Sequence, residues 1–467
     1  MATALLIVPP LLKYAAGPLL GPALLAGAAS RAGHDVVVAD LNIRFLRERL
    51  DLKAVEPSIV VHGDHARPTE GLRTAADHFL AMLAPAVTGP IGHRQRNAAL
   101  TLPVSHAQVY AAAARLAHGP LGAWVRDAVA DSTSREPDIV GVSVLYSGQV
   151  LAGLVATLVA RARWPRARVI WGGPHVTALR DVIPFDQDFG HLIDGFVFGA
   201  AEGTFTTLLD AVDCDAAWPG AVVRAGNGRL VTGEPLASVR PRFDDLDPYG
   251  VPLLTLPAQT GRGCAYGKCT YCTYPAIEGA VVDLGLGMLD HVVGLAQERS
   301  AAVSIKDILL VPTRLEQVAE VVAGRVPWAG CTKLHPRLDR PFVSRLAAAG
   351  CRTLEFGLET LLADSQVLIK KHQTDALLSH VLDACAHAGV HPVVNLITGF
   401  PGENAAPAAA MRVSVESALL AAGGAGFGQV EHNSFELERL APMAKDPRIE
   451  ITASWPWASV MDWRWRG

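Results

Sequence analysis

Five short apolar runs, bounded by glycine, proline or polar residues, constrain the fold of the first half of this chain more than any other feature. They are ALLIVP, DVVVADL, DIVGVSVLY, RVIWGG and GFVFG. Runs of this length, rich in Val and Ile and lacking polar alternation, read as strands buried on both faces. Parallel strands of that kind need helices to cover them, and helical patterns lie between most of these runs. QVLAGLVATLVARAR, residues 149–163, is one such pattern: it is apolar on one face and ends in arginines that suit a helix C-terminus. The expected class is α/β, with a Rossmann-like domain over residues 1–240. Its ligand would be met by the loops after the strands: 9–22, 146–149, 172–177 and 199–204. Residues from about 51 to 137 interrupt the alternation and read as a helical insertion. The phosphate fingerprint G-x-G-x-x-G is missing after the first strand, which argues against a dinucleotide.

A polar connection, RPRFDDLDPYG, leads to a second series of strand and helix patterns. Candidate strands are LLTLPAQT, VSIKDILLV, TKLHPRL, TLEFGLE, HPVVNLITGF and GQVEHNSFEL. PFVSRLAAAG and DALLSHVLDACAHAG are helical patterns ending in Gly, a frequent C-cap. Six units fall short of the eight of a closed barrel, so residues 250–440 are expected to form a partial (βα)6 barrel. Residues 441–467 are left as a tail, whose Trp455, Trp457, Trp463 and Trp465 are expected to dock the terminus.

Only composition excludes whole classes of function. Half of the 467 residues are hydrophobic and the formal net charge is −4, which suits a well-buried protein and no general nucleic-acid binder. The apolar start, MATALLIVPPLLKYAAGPLLGPALLAGAAS, is broken by Lys13 and by Pro9, Pro10, Pro18 and Pro22. It offers no uninterrupted membrane span of about 20 residues, so a buried strand, loop and helix in a cytoplasmic protein are expected.

Three of the seven cysteines, Cys264, Cys269 and Cys272, fall within GRGCAYGKCTYCTYP after the first strand of the second series. Thiols at this density suit an iron–sulfur cluster or zinc, with three unrelated buried thiols as the remaining reading. The other cysteines are distant, so three ligands and one open position result, the pattern of a reactive site.

CAYGKCTYC ahead of a partial-barrel pattern resembles the radical S-adenosylmethionine (SAM) superfamily, with one residue more between the first two cysteines than the usual family motif. Gly267 in that interval would absorb the wider loop. FGLET with Glu359, GFPGE from Gly399 to Glu403, and SIKD ending at Asp307 resemble family segments in the same order. The resemblance implies a 4Fe–4S cluster on the three cysteines. It also implies SAM contacts from Tyr271, Asp307, Glu359, Gly399, Pro401 and Gly402.

PDIVGVSVLYSGQ, VIWGGPHVT and GAAEGT resemble the cobalamin-binding domain fused to one branch of that superfamily. This implies cobalamin near Pro10, Ser143, Tyr146, Ser147, Gln149, Gly172, Gly173, His175, Gly199 and Glu202. No D-x-H-x-x-G motif is present, so no lower axial histidine is implied. The activity implied is C-methylation of an unactivated carbon through a 5′-deoxyadenosyl radical and methylcobalamin, on a natural product or peptide. The implied electron donor is a flavodoxin or ferredoxin. Rearrangement or cyclisation without methyl transfer, or a cobalamin domain that has lost its cofactor, are the alternatives. His335, Arg337, Asn395, Glu431 and Glu436 fall near strand ends and are candidates for substrate contact.

Overall fold

The computed structural model describes residues 1–10, 17–49, 105–183, 190–214, 216–218, 222–224, 232–233, 236, 238–249 and 253–467. The chain divides into two compact units. Of the described residues, one comprises those up to 249 together with Ala453–Met461; the other comprises Leu253–Thr452 and Asp462–Gly467.

In the first unit the apolar runs form β1 (Thr3–Val8), β2 (Asp35–Asp40), β3 (Ile139–Ser143), β4 (Arg168–Gly172) and β5 (Gly195–Gly199). These strands are parallel in the order β2-β1-β3-β4-β5. Antiparallel β6 (Val222–Arg224) lies beyond β5, and the short β7 (Thr232–Gly233) also pairs with β5. Successive side chains of a strand point to opposite faces, and both faces are buried here. Leu5, Ile7, Val140, Val142 and Trp171 enter one core with the helix Val150–Arg163. Ala4, Leu6, Ile139, Ile170 and Val197 enter the other with the helices Leu20–Arg31 and Glu202–Asp213. The domain is therefore Rossmann-like and doubly wound. Strand order reverses between β1 and β3, and the carboxyl ends of those two strands mark its switch point.

Through residue 104, most of the expected helical insertion lies outside the described residues. From Ser105, whose hydroxyl caps the next helix by accepting from Gln108 N at 3.3 Å, two helices follow: His106–His118 and Pro120–Ser132. Their Val109, Leu116, Trp124 and Val125 belong to the first core, so this part of the insertion covers the sheet and does not stand as a separate subdomain.

The part of the tail carrying Trp455 and Trp457 docks within the first unit, while Trp463 and Trp465 belong to the second. Trp457 is 1% exposed in the same core and meets Trp171 edge-on, with ring centroids 5.6 Å apart. Its indole Nε1 donates to His106 Nδ1 at 2.9 Å, which satisfies the polar edge of a buried tryptophan.

In the second unit, six parallel strands follow chain order across the sheet: β8 (Thr255–Ala258), β11 (Ala302–Ile305), β12 (Trp328–Thr332), β13 (Cys351–Glu359), β14 (His391–Thr398) and β15 (Gln429–Ser434). Helices separate them, among them Gly287–Glu298, Pro312–Val322, Arg340–Ala348, Asp375–Ala388 and Ala405–Gly423. The outer strands β8 and β15 are not paired with each other, which makes this a partial (βα)6 barrel. Between β8 and β11 the short hairpin β9 (Gly261–Arg262) and β10 (Val282–Asp283) brackets the cysteine loop. β16 (Leu437–Glu438), β17 (Ile449–Ser454) and β18 (Val460–Trp465) form a small sheet in the order β16-β18-β17. Among the described residues no helix is long and apolar enough to cross a membrane.

Candidate functional site

At the switch point of the first unit, one buried side chain ties the two loops together. Gln149 is fully buried; its Nε2 donates to Pro9 O at 2.7 Å, and its Oε1 accepts from Leu145 N at 2.8 Å. It therefore fixes the chain after β1 against the chain after β3. Replacing it with leucine strands these backbone groups, at a cost of about 1–3 kcal/mol. Gln149→Leu is expected to lower the melting temperature and to weaken corrinoid uptake, measured by thermal denaturation and by absorbance after gel filtration.

The next loops are fixed in the same way. Gly173 has φ +106°, and a Cβ there would stand 2.5 Å from Val144 O, so only glycine allows the chain after β4 to pass the chain after β3. Gly199, with φ +72°, donates its N–H to Thr177 Oγ1 at 2.9 Å. Gly172 and Ser143 are half-buried at the ends of their strands, while Pro10, Ser147 and Glu202 are buried. Tyr146 is 58% exposed beside them.

His175 departs from its expected role. It is 4% exposed and its Nε2 donates to the Trp457 carbonyl at 3.0 Å, so its ring serves the docked tail. Burial pushes its pKa down to about 4, leaving it neutral near pH 7. The loops thus present backbone and an exposed phenol ring, with the His175 imidazole bonded to the tail. That surface fits a corrinoid held without a histidine ligand.

In the second unit the cysteine loop is anchored at its root and along its back. Asp307, at the end of β11, accepts from Thr260 N at 2.7 Å and from Thr260 Oγ1 at 2.6 Å. Burial raises its pKa while these hydrogen bonds lower it. Both its oxygens accept from the residue leading into the loop, so Asp307 positions the loop. Thr270 N and Oγ1 donate to Ile369 O at 3.2 Å and to Leu368 O at 2.8 Å. Met443 N donates to Thr270 O at 2.7 Å, and Thr273 Oγ1 bonds to Glu438. The segment NSFELERLAPMAKDP therefore clamps the back of the loop.

Gly267 has φ +59° and its N–H approaches Cys264 Sγ at 3.4 Å. The extra residue between the first two cysteines is thus taken up by a left-handed turn. Cys264, Cys269 and Cys272 are all partly exposed. They lie close enough that the charges of Cys264 and Cys269 help to raise the pKa of Cys272, after the larger effect of burial. No three His, Cys, Asp or Glu among the described residues converge on a point that would hold a single metal ion. A cluster several atoms wide spreads its thiolates further apart than one zinc ion does, so three neighbouring thiols without a fourth ligand fit 4Fe–4S better than zinc.

Around the loop stand the other family-like segments. Glu359 ends β13 with φ +65°, a strained conformation for a residue with a side chain, at a register shift between Gly357 and Glu359. Its carboxylate is buried and pairs with Lys371 Nζ at 2.9 Å. Tyr271 also bonds to Glu359, and burial followed by that neighbouring charge raises its pKa. A Cβ on Gly357 would stand 2.6 Å from Glu359 Oε1 and 2.8 Å from Lys371 Nζ, so the glycine makes room for the pair. In GFPGE, Gly399 and Gly402 have φ +86° and +79°. Glu403 closes that turn by accepting from Gly399 N and Phe400 N, both at 3.3 Å. Tyr271, Phe400, Phe435 and Trp463 run edge to edge from the loop to β18.

Of the substrate candidates, Asn395 and Glu431 are register partners on neighbouring strands. Arg337 instead turns outward to Glu316 Oε2 at 3.0 Å, on the helix Pro312–Val322. His335 Nδ1 accepts from Arg337 N at 3.1 Å, and burial lowers its pKa. Glu436 is half-buried just beyond β15. Sequence reasoning passed over Lys371 and Glu355 and set Cys331 aside as distant; none of the three carries a local signal.

Comparison with known proteins agrees with this construction. Residues 258–412 match the radical SAM superfamily. The chain is similar in fold to the radical S-adenosylmethionine methyltransferase TsrM from Kitasatospora setae, solved with cobalamin and a [4Fe–4S] cluster bound: TM-score 0.63, 16% identity, 98% of this chain and 81% of that one covered. With tryptophan substrate and a SAM analogue bound, TsrM gives TM-score 0.61 at 17% identity, over 97% of this chain and 79% of that one. The apo form of the cobalamin-dependent S-adenosylmethionine radical enzyme OxsB gives TM-score 0.58 at 12% identity, over 99% of this chain and 64% of that one. No curated protein matches by sequence. A radical SAM domain thus occupies residues 258–412, and nearly the whole chain shares the fold of TsrM and OxsB.

Proposed function

We propose that this chain is a cobalamin-dependent radical SAM C-methyltransferase acting on an unactivated carbon of a natural product or peptide. The observation that carries the reading is the cysteine loop, with three partly exposed thiols within nine residues at the carboxyl end of β8 in a partial barrel. When bound, the cluster with SAM supplies radical chemistry and the corrinoid supplies a transferable methyl group.

The chain's own residues supply position. Cys264, Cys269 and Cys272 would hold the cluster. Tyr271, Glu359 and the turn of Gly399, Pro401 and Gly402 would seat SAM, with backbone approach made possible by the two left-handed glycines. Asp307 and Glu403 hold the two SAM-side loops in shape. Pro10, Ser143, Tyr146, Ser147, Gly172, Gly199 and Glu202 would face or support the corrinoid, on loops fixed by Gln149 and Gly173.

The test is anaerobic purification with added cobalamin and reconstitution with iron and sulfide. Absorbance is then recorded, 5′-deoxyadenosine is assayed, and methyl label is traced from SAM to the bound corrinoid. Corrinoid retention near one per chain, SAM cleavage and label transfer are expected. A protein that takes up no corrinoid would sink the methyl-transfer mechanism. A loaded enzyme that cleaves SAM but never labels its corrinoid would favour rearrangement.

A further inference from the structure

Across four neighbouring strands of the partial barrel, the face turned away from the helices carries a polar cluster that passes around the buried Val393. Cys331 on β12 is the register partner of Glu355 on β13, and Asn395 on β14 is the partner of Glu431 on β15. Side chains join the two halves: Cys331 Sγ donates to Glu355 Oε2 at 3.3 Å, and Asn395 Nδ2 donates to Glu355 Oε1 at 2.6 Å. Gln429 Nε2 donates to Glu431. The opposite face of the same strands is the packed core, with Leu354, Phe356, Val394 and Leu396 buried.

The row has donors too few for its acceptors. The thiol, the Asn395 amide and the Gln429 amide have already given hydrogens to the two carboxylates. Among the described residues, no ion pair involves Glu355 or Glu431. The lysines toward the cysteine loop are engaged elsewhere: Lys371 with Glu359 at 2.9 Å, and Lys333 over the Tyr266 ring at 4.1 Å.

Independently of this row, Thr353 points to a missing ligand. It lies two residues before Glu355 on β13, past the register shift at Trp328/Ala329, and so shares the face of Glu355. It is 1% exposed, and its hydroxyl oxygen is buried without a hydrogen-bond partner among the described residues. Buried polar atoms are ordinarily satisfied, and partly buried carboxylates call for a compensating charge.

We propose that this row is a recognition site for a basic nitrogen, a protonated amine or amidine carried by the substrate. The inference rests on the methyltransferase reading only in calling that ligand the substrate. A cation with several N–H groups supplies both the charge and the donors the row lacks. Gly357, next along the same face of β13, carries no side chain, and the space over it is taken by the Glu359–Lys371 pair, which bounds the row on the side of the cysteine loop.

Cys331 provides a built-in reporter that needs no knowledge of the substrate skeleton. The reconstituted holoenzyme is treated anaerobically with 2-aminoethyl or 2-sulfonatoethyl methanethiosulfonate, and labelling at each cysteine is followed by peptide mass spectrometry. The exposed Cys214, in the other unit, is the internal reference. The cationic reagent is expected to label Cys331 at least ~10-fold faster than the anionic one, relative to Cys214, because a lumen of one charge sign concentrates the opposite charge. Glu355→Gln with Glu431→Gln should collapse that ratio. A wild-type ratio no greater than at Cys214, or no labelling at Cys331 while Cys214 reacts fully, overturns the proposal without reliance on a variant. Corrinoid uptake and 5′-deoxyadenosine are measured on the same preparation. If these are intact with no charge preference, the amine site alone fails. If they are lost with the preference retained, the methyltransferase reading fails and the cation site stands.

Discussion

Cys269→Ala is expected to leave a folded protein that binds no iron–sulfur cluster and cleaves SAM no faster than an enzyme-free control. Cys269 sits between the two other thiols of the loop, and a cluster held by three protein ligands has no spare one to lose. The backbone around it does not depend on the thiol. Thr270 is held by Leu368, Ile369 and Met443, and Asp307 holds Thr260. The loss should therefore appear in the brown absorbance and in 5′-deoxyadenosine while the melting temperature of the apo protein stays within a few degrees. Burial raises the pKa of Cys269 and pushes that of Cys272 up to about 12, so cluster assembly has to displace protons from these thiols. Cys214→Ser, at the exposed end of the helix Glu202–Asp213, should assemble and cleave as the wild type does. A Cys269→Ala protein that keeps full cluster absorbance would remove the loop from the chemistry.

The fold was legible because strands buried on both faces and a strand–helix rhythm leave few solutions. Leu5 and Leu6 enter opposite cores as the uninterrupted apolar run requires. The cysteine loop was legible for a similar reason, since its spacing and its glycine carry local geometry, and Gly267 adopts the left-handed turn that the wider interval needs. The direction of a side chain at a strand end was not legible. Gln149, Asp307 and His175 all stand where a ligand contact was expected, yet each bonds within the protein: Gln149 to the backbone of Pro9 and Leu145, Asp307 to the backbone and hydroxyl of Thr260, and His175 to the backbone of Trp457. For His175 the partner lies 282 residues away, beyond the reach of any local pattern.

The same argument explains what was passed over. Cys331 looked isolated because its neighbours, Glu355 and Asn395, come from other strands, and register is a property of the assembled sheet. Lys371, in LIKKHQ, reads as one more solvated charge after a helix. Only the structure turns it inward beneath the bulge of β13.

Lys371→Met is the substitution expected to harm the second unit most. Glu359 and Lys371 side chains are 10% and 9% exposed, and the carboxylate also lies beside Tyr271. Removing only the lysine leaves a buried charge without its partner, which costs about 3–5 kcal/mol. At the scale of a unit of this size that is a fall of roughly 6–20 °C in melting temperature. Neutralising the other partner as well should recover much of it, because Glu359→Gln in the Lys371→Met background buries an amide in place of an uncompensated carboxylate. Gly357→Ala should act in the same direction by forcing a methyl group against both members of the pair. Thermal denaturation of the apo proteins gives the comparison, and cluster content after reconstitution shows whether the loss reaches the loop. A Lys371→Met protein within about 1 kcal/mol of wild type would mean that Glu359 is held by its other contacts. Partial rescue by the double variant, together with weakened cluster retention in the single one, is the result that ties the strained end of β13 to the cysteine site.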